Sequence, residues 1–175
     1  MSILLISCGT TEEGVESGQP EEISEAGPEI NEDLLPGWYS MGKLGEAADG
    51  SLNGYAISMG SDSDWAYENA KRQASVNLRV WIDDQLEEAR SVVAENEDSA
   101  SDREFILQLR NAVSGLDFDD STADREEFEG EENTLHVVVR IEASSDSVLG
   151  ELEQKLVNYS AIWNQMKETA PLSDW

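Results

Sequence analysis

The chain has 175 residues, 38 acids against 11 bases, and a formal net charge of −27. That balance excludes nucleic acid as a partner, because binding it depends on Lys and Arg neutralising phosphates, and it opposes adsorption to an anionic lipid surface. With 39% hydrophobic residues the chain can bury one core, and the acids are spread along its length, as in a halophilic-style acidic surface.

The first eight residues end in Ile3-Leu4-Leu5-Ile6-Ser7-Cys8, a short apolar run closed by a small residue and the only cysteine. With one cysteine there is no intrachain disulfide. No run approaches the roughly 20 apolar residues of a spanning helix, so the chain is not expected to cross a membrane. Leu5-Ile6-Ser7-Cys8 resembles the lipobox of bacterial lipoproteins, in which the cysteine thiol receives the lipid. The resemblance implies a truncated signal at residues 1–8 and lipidation at Cys8. Several acyl chains, at about 0.8 kcal/mol per buried methylene, give the stable anchoring that one chain does not.

Residues 9–36 carry nine acids (Glu12, Glu13, Glu16, Glu21, Glu22, Glu25, Glu29, Glu32, Asp33) and no base, with Gly, Ser, Thr and Pro filling most of the rest. Such a composition buries too little apolar surface to offset chain entropy, so residues 9–35 are predicted to be a disordered acidic tether.

From residue 36 to about 170 the patterning is that of a folded domain. Pro36-Gly37 sets a turn, and Trp38-Tyr39 supply the first large apolar groups. Residues 43–53, rich in Gly and Ala, are expected to loop. Residues 52–59 read as a strand, with Tyr55, Ile57 and Met59 on one face and Gly54, Ala56 and Ser58 on the other. Ser61 or Asp62 then caps a long helix, residues 65–93. Its apolar stripe is Ala66, Ala70, Ala74, Leu78, Trp81/Ile82, Leu86, Ala89 and Val93, and Val76 and Val80 are expected to broaden that face.

A second, shorter helix, capped by Ser101 or Asp102, carries Phe105, Ile106, Leu109, Ala112 and Val113 and stops at Gly115. Residues 122–129 are assigned as an acidic strand. Residues 134–143 alternate Leu135, Val137, Val139 and Ile141 with His136, Val138, Arg140 and Glu142, and form the clearest strand of the chain. Ser144–Asp146 cap a last helix with Val148, Leu152, Leu156, Tyr159, Trp163 and Met166 at helical spacing. The order strand-helix-helix-strand-strand-helix predicts an α+β fold: a small, mainly antiparallel sheet of about three strands with helices on one face.

Three segments carry a more specific likeness. They are Pro36-Gly37-Trp38-Tyr39, the strand Gly54-Tyr55-Ala56-Ile57-Ser58-Met59-Gly60, and the helix start Asp64-Trp65-Ala66-Tyr67-Glu68-Asn69-Ala70-Lys71-Arg72-Gln73-Ala74. Together they resemble the LPP20 family of bacterial lipoproteins, over about residues 36–168. The resemblance implies a strand–helix–strand–strand–helix unit in an envelope lipoprotein, with no catalytic residues and no cofactor. The leading expectation is contact with envelope proteins or with a second copy, the latter through the uncovered face of the sheet, at the outer membrane.

Candidate sites are weighed on chemistry. Asp117-x-Asp119-Asp120-x-x-x-Asp124 is the one oxygen-rich cluster with calcium-like spacing, although it lacks the EF-hand glycine and terminal glutamate. It defines an alternative function, a cation- or small-ligand-binding module on loop 117–124. His136, the only histidine, should be partly exposed and has no second His or Cys with which to form a zinc site or a triad. The sequence has no phosphate-binding glycine loop, nucleophile elbow or HExxH, so an enzyme is not expected. Of five tryptophans, Trp81 and Trp163 fall on core stripes; Trp65, at a helix start, and Trp175, at the chain's end, are the two whose exposure would mark a partner surface, with burial the expectation for Trp38 and Trp65 and exposure for Trp175.

Overall fold

The computed structural model describes residues 30–119, 121–130 and 134–175. Cys8, Asp120 and most of the acidic tether lie outside these residues. Residues 30–35, placed in the tether by sequence, contain one 3-10 turn (Glu32–Leu34) closed by the Asn31 side chain, which accepts from the Asp33 amide at 3.0 Å.

Four antiparallel strands make the sheet: β1 (Gly45–Ala48), β2 (Ser51–Gly60), β3 (Thr122–Glu129) and β4 (Leu135–Ser144), in the spatial order β1-β2-β4-β3. The α+β class with helices on one face is as expected, but the sheet has one strand more. The extra strand, β1, lies where a loop is expected. Asp49 and Gly50 both take positive φ (52° and 77°), the two-residue turn whose twist matches paired strands, and Ala48 pairs directly with Ser51 across it.

The described residues hold five helices: α1 (Ser63–Ala94) and α2 (Arg103–Ser114) between β2 and β3, and α3 (Ser145–Lys155), α4 (Ser160–Lys167) and α5 (Ala170–Ser173) after β4. The single C-terminal helix expected from the apolar spacing is therefore broken into α3, a 3-10 turn at Val157–Tyr159, α4 and α5. The chain bends here so that Leu152, Leu156, Trp163, Met166 and Leu172 all reach the core.

Asp62 caps α1 by accepting from the Trp65 amide at 2.7 Å. The buried stripe of α1 steps by four residues from Ala66 to Leu86. Since 3.6 residues make a turn, each step rotates the stripe by about 40°. The first half therefore faces the sheet and the second half turns toward the other helices. Small residues meet across the first contact. A Cβ on Gly54 would lie 2.6 Å from the Ala74 carbonyl oxygen and 2.7 Å from Leu78 Cβ, and one on Gly45 would lie 2.9 Å from Trp81 Cγ. Further along, Trp81 stacks on Trp175 (5.7 Å between ring centroids), and Arg90 donates to the Ala100 carbonyl at 3.0 Å.

The register puts Leu52, Gly54, Ala56, Val137, Val139 and Ile141 on the helix side of the sheet. The opposite face carries Tyr55, Ile57, Met59, His136, Val138, Arg140, Asp124, Glu126 and Phe128. That face, expected to be uncovered and free for self-association, is not bare. Residues 36–43 cross it, and Trp38, Tyr39 and Tyr55 form a triangle with ring centroids 6.0–6.4 Å apart. Trp38 Nε1 donates to Glu126 at 2.9 Å, Arg140 lies over the Trp38 ring, and Lys43 lies over Tyr55. Tyr55 is fully buried on this side, and its hydroxyl donates to the Glu46 carboxylate. Burial, and then that hydrogen bond, push the phenol pKa up.

Candidate functional site

The aspartates nominated for a cation do not share one direction. Asp117 accepts from the Asp119 amide at 2.9 Å, a local turn, and lines a hollow with Ser121, Glu142 and Ser147. Asp119 lines a different cleft, against Lys71, Arg72 and Arg79. Asp124, on β3, points to the sheet face away from the helices and is held by the Arg140 guanidinium. Among the described residues no group of three or more His, Cys, Asp or Glu side chains is placed to hold a metal ion. The chain changes form between them: Asp117 and Asp119 sit in a loop turn, whereas Asp124 is on β3, where the pleat directs it to the face away from the helices.

His136 differs from expectation. It is 2% exposed. Phe128, directly opposite on β3, stacks flat on the imidazole (4.9 Å between centroids, 7° between planes), Met59 is its neighbour on β2, and the Gly130 backbone closes over Nε2. A side chain at position 130 would collide with that ring. Glu126, one same-face position along β3, is engaged by Trp38. Nδ1 has no hydrogen-bond partner among the described residues.

Burial holds the His136 pKa below its ordinary value. The unfolded chain therefore binds more protons over this range, and stability is full above about pH 6.5 and falls as pH drops below it. His136→Phe keeps the stacking and removes the titration. Thermal midpoints measured from pH 8 to pH 5 should converge toward the acid end, the wild type losing more than the variant. Parallel curves would refute the assignment.

The tryptophans also separate. Trp163 is buried, as expected. Trp65 instead is 59% exposed at the corner between β2 and α1, and its ring packs over Gly60, whose added Cβ would lie 3.1 Å away. With Met59, Ser61 and Asp62 it borders an open hollow of about 610 Å³. Trp175, expected to be exposed, is partly buried by its stacking on Trp81.

A second surface has no counterpart in the sequence reading. With 38 acids and 11 bases, most bases should find a carboxylate, and six do: Lys43, Arg90, Arg125, Arg140, Lys155 and Lys167. Lys71, Arg72, Arg79, Arg103 and Arg110 have no carboxylate within 4.0 Å among the described residues. Four of these five lie together. Lys71, Arg72 and Arg79 border a cleft of about 300 Å³ with Phe118 and Ser75, and Glu68 and Asp119 at its edge. Arg79 and Arg110 border an adjoining groove of about 320 Å³ between α1 and α2, lined by Val76, Val80 and Val113, with Asp83 at its side. Val76 and Val80, expected to broaden the buried face of α1, are instead 42% and 44% exposed, because they fall on the side of the helix turned away from the stripe. Arg79 is fixed in place: its Nε donates to the Leu116 carbonyl at 3.0 Å and its guanidinium lies over Phe118. Only the fold separates these bases from the paired ones, since in sequence they alternate with Glu and Asp like the others.

Among the described residues no helix is long and apolar enough to cross a membrane. No family model, curated protein or solved structure matches this chain.

Proposed function

We infer that the chain is a bacterial envelope lipoprotein, held by a lipid on Cys8, whose acidic domain acts through protein–protein contact, including contact with a second copy, and not through catalysis. The observation that carries the contact is Trp65, a large exposed indole fixed over Gly60 beside the exposed Met59. Immobilised, amphipathic side chains of this kind contribute most of the free energy of typical interfaces, because little side-chain entropy is lost on docking. The lipobox-like Leu5-Ile6-Ser7-Cys8, the base-free acidic stretch after it and the LPP20-like segments from Pro36 support the anchor.

Two measurements test the two halves separately. Cells expressing the full-length gene product and fed radiolabelled palmitate should label the protein, and Cys8→Ser should abolish the label; an unlabelled wild type overturns the anchor. Sedimentation of the full chain across a concentration series should show reversible association that Trp65→Ala weakens by about tenfold or more, the loss of a ~1.4 kcal/mol or larger anchor. Monomers throughout would overturn self-contact.

A further inference from the structure

We propose that the cationic and apolar surface between α1 and α2 is a docking site for the chain's own acidic segment, residues 12–29. The first argument is charge. Lys71, Arg72, Arg79 and Arg110 form the one place among the described residues where several bases gather without ion-pair partners, on a protein of net charge −27. Residues 12–29 are the complement: seven acids and no base.

The second argument is apolar fit. The groove bordered by Val76, Val80 and Val113 runs between the cationic side chains, and Val15 and Ile23 are branched aliphatic residues interleaved with the glutamates. One aliphatic side chain in the groove, with carboxylates on Arg79 and Arg110 at its rim, uses both properties of the surface. Either property alone would be weak, since exposed ion pairs contribute about 0–1 kcal/mol.

The third argument is tethering. A separate acidic partner would have to approach against the repulsion of the whole domain, whereas a segment of the same chain is present at an effective concentration in the millimolar range. Reach is sufficient: residues 12–30 can span up to about 60 Å, against roughly 48 Å for the 32 residues of α1. The contact holds whether or not Cys8 carries a lipid.

The test uses the full chain with Cys8→Ser and Ser24→Cys, a nitroxide at position 24, and uniform ¹⁵N labelling. Amide signals of residues 71–80 and 110–114 should lose about half their intensity or more, with residues 95–101, beyond the far end of α1, unaffected. Salt near 1 M, where the Debye length is about 3 Å, should restore them. Arg72→Glu with Arg110→Glu should restore them too; both side chains are exposed and make no hydrogen bond within the fold, so the folded spectrum serves as the control. Uniform broadening, no broadening, or broadening that survives charge reversal overturns the proposal. Equal broadening in a mixture of nitroxide-bearing unlabelled chain and ¹⁵N chain without nitroxide overturns the same-chain assignment in favour of a second copy.

Discussion

Replacing Gly54 with valine should destabilise the domain by about 3 kcal/mol, at the upper end for overpacking, because the obstacle is backbone. Gly54 sits on β2 where α1 crosses most closely. Its Cβ would meet the Ala74 carbonyl oxygen at 2.6 Å and Leu78 Cβ at 2.7 Å, with Ile141 Cγ1 at 3.2 Å on the neighbouring strand. A flexible side-chain tip could swing away, but a helix carbonyl moves only if the helix moves. α1 cannot lift locally, because Ala66, Ala70 and Ala74 are all buried against the same sheet. For a domain of this size about 3 kcal/mol lowers the thermal midpoint by roughly 6–12 °C. Gly150→Ala is the control: it lies in α3 with nothing within 4 Å of the added Cβ, and should be neutral or stabilise by up to about 1 kcal/mol. Thermal unfolding of the two variants beside the wild type decides the matter, and a Gly54→Val protein as stable as wild type would contradict the close approach.

That contact was legible because both partners advertise it. Gly54-x-Ala56-x-Ser58 alternates small residues on one face of a strand, and Ala66, Ala70 and Ala74 repeat small residues on one face of a helix. Two small-residue surfaces in adjacent elements imply backbones packed close together. β1 was not legible from its own residues, since Gly45-Glu46-Ala47-Ala48 has no β-branched or aromatic member. The available signal was the Asp49-Gly50 dipeptide, which favours a tight hairpin whatever flanks it. The burial of His136 depended on two things that periodicity along β4 does not contain: which strand lies opposite, and that Phe128, the one aromatic residue in an otherwise polar β3, pairs with the imidazole. The four unpaired bases were hidden for a related reason. Charge counts along a sequence cannot tell a base with a carboxylate neighbour from one without, and on α1 only the turn of the helix and the approach of the 116–119 segment separate them.

The division of labour along α1 follows from its length. Its first half is committed to the sheet by alanines, and its buried stripe then rotates toward α4 and α5 with Ile82, Leu86, Ala89 and Val93. The opposite side of the same helix is released to solvent, and there Arg72, Val76 and Val80 appear. The same rotation that buries one side thus exposes a surface that mixes charge and aliphatic groups. Much of the far face of the sheet, by contrast, is already occupied by the Trp38–Tyr39–Tyr55 triangle and the Glu46, Glu126 and Asp124 contacts.

Trp163 closes the other end of the core, and removing it should cost most of the domain's stability. It is 0% exposed on α4, within the same buried cluster as Leu86, Leu152 and Met166. Trp163→Ala leaves a cavity that rigid neighbours on three helices cannot fill, for which about 3–5 kcal/mol is the expected loss. Natural domains have roughly 5–15 kcal/mol in total, so the variant should be partly unfolded at moderate temperature. The indole also carries a cost that the wild type bears: Nε1 is buried with no hydrogen-bond partner among the described residues. An unsatisfied buried donor costs about 1–3 kcal/mol. Trp163→Phe gives up ring volume but removes that donor, so the two effects offset, and its loss should stay within about 2 kcal/mol. Urea unfolding followed by circular dichroism orders the three proteins as wild type, Trp163→Phe at or slightly below it, and Trp163→Ala far below. If Phe and Ala are equally destabilising, the Nε1 donor has a partner and the indole is a hydrogen-bonded anchor; if both are mild, the C-terminal helices do not complete this core.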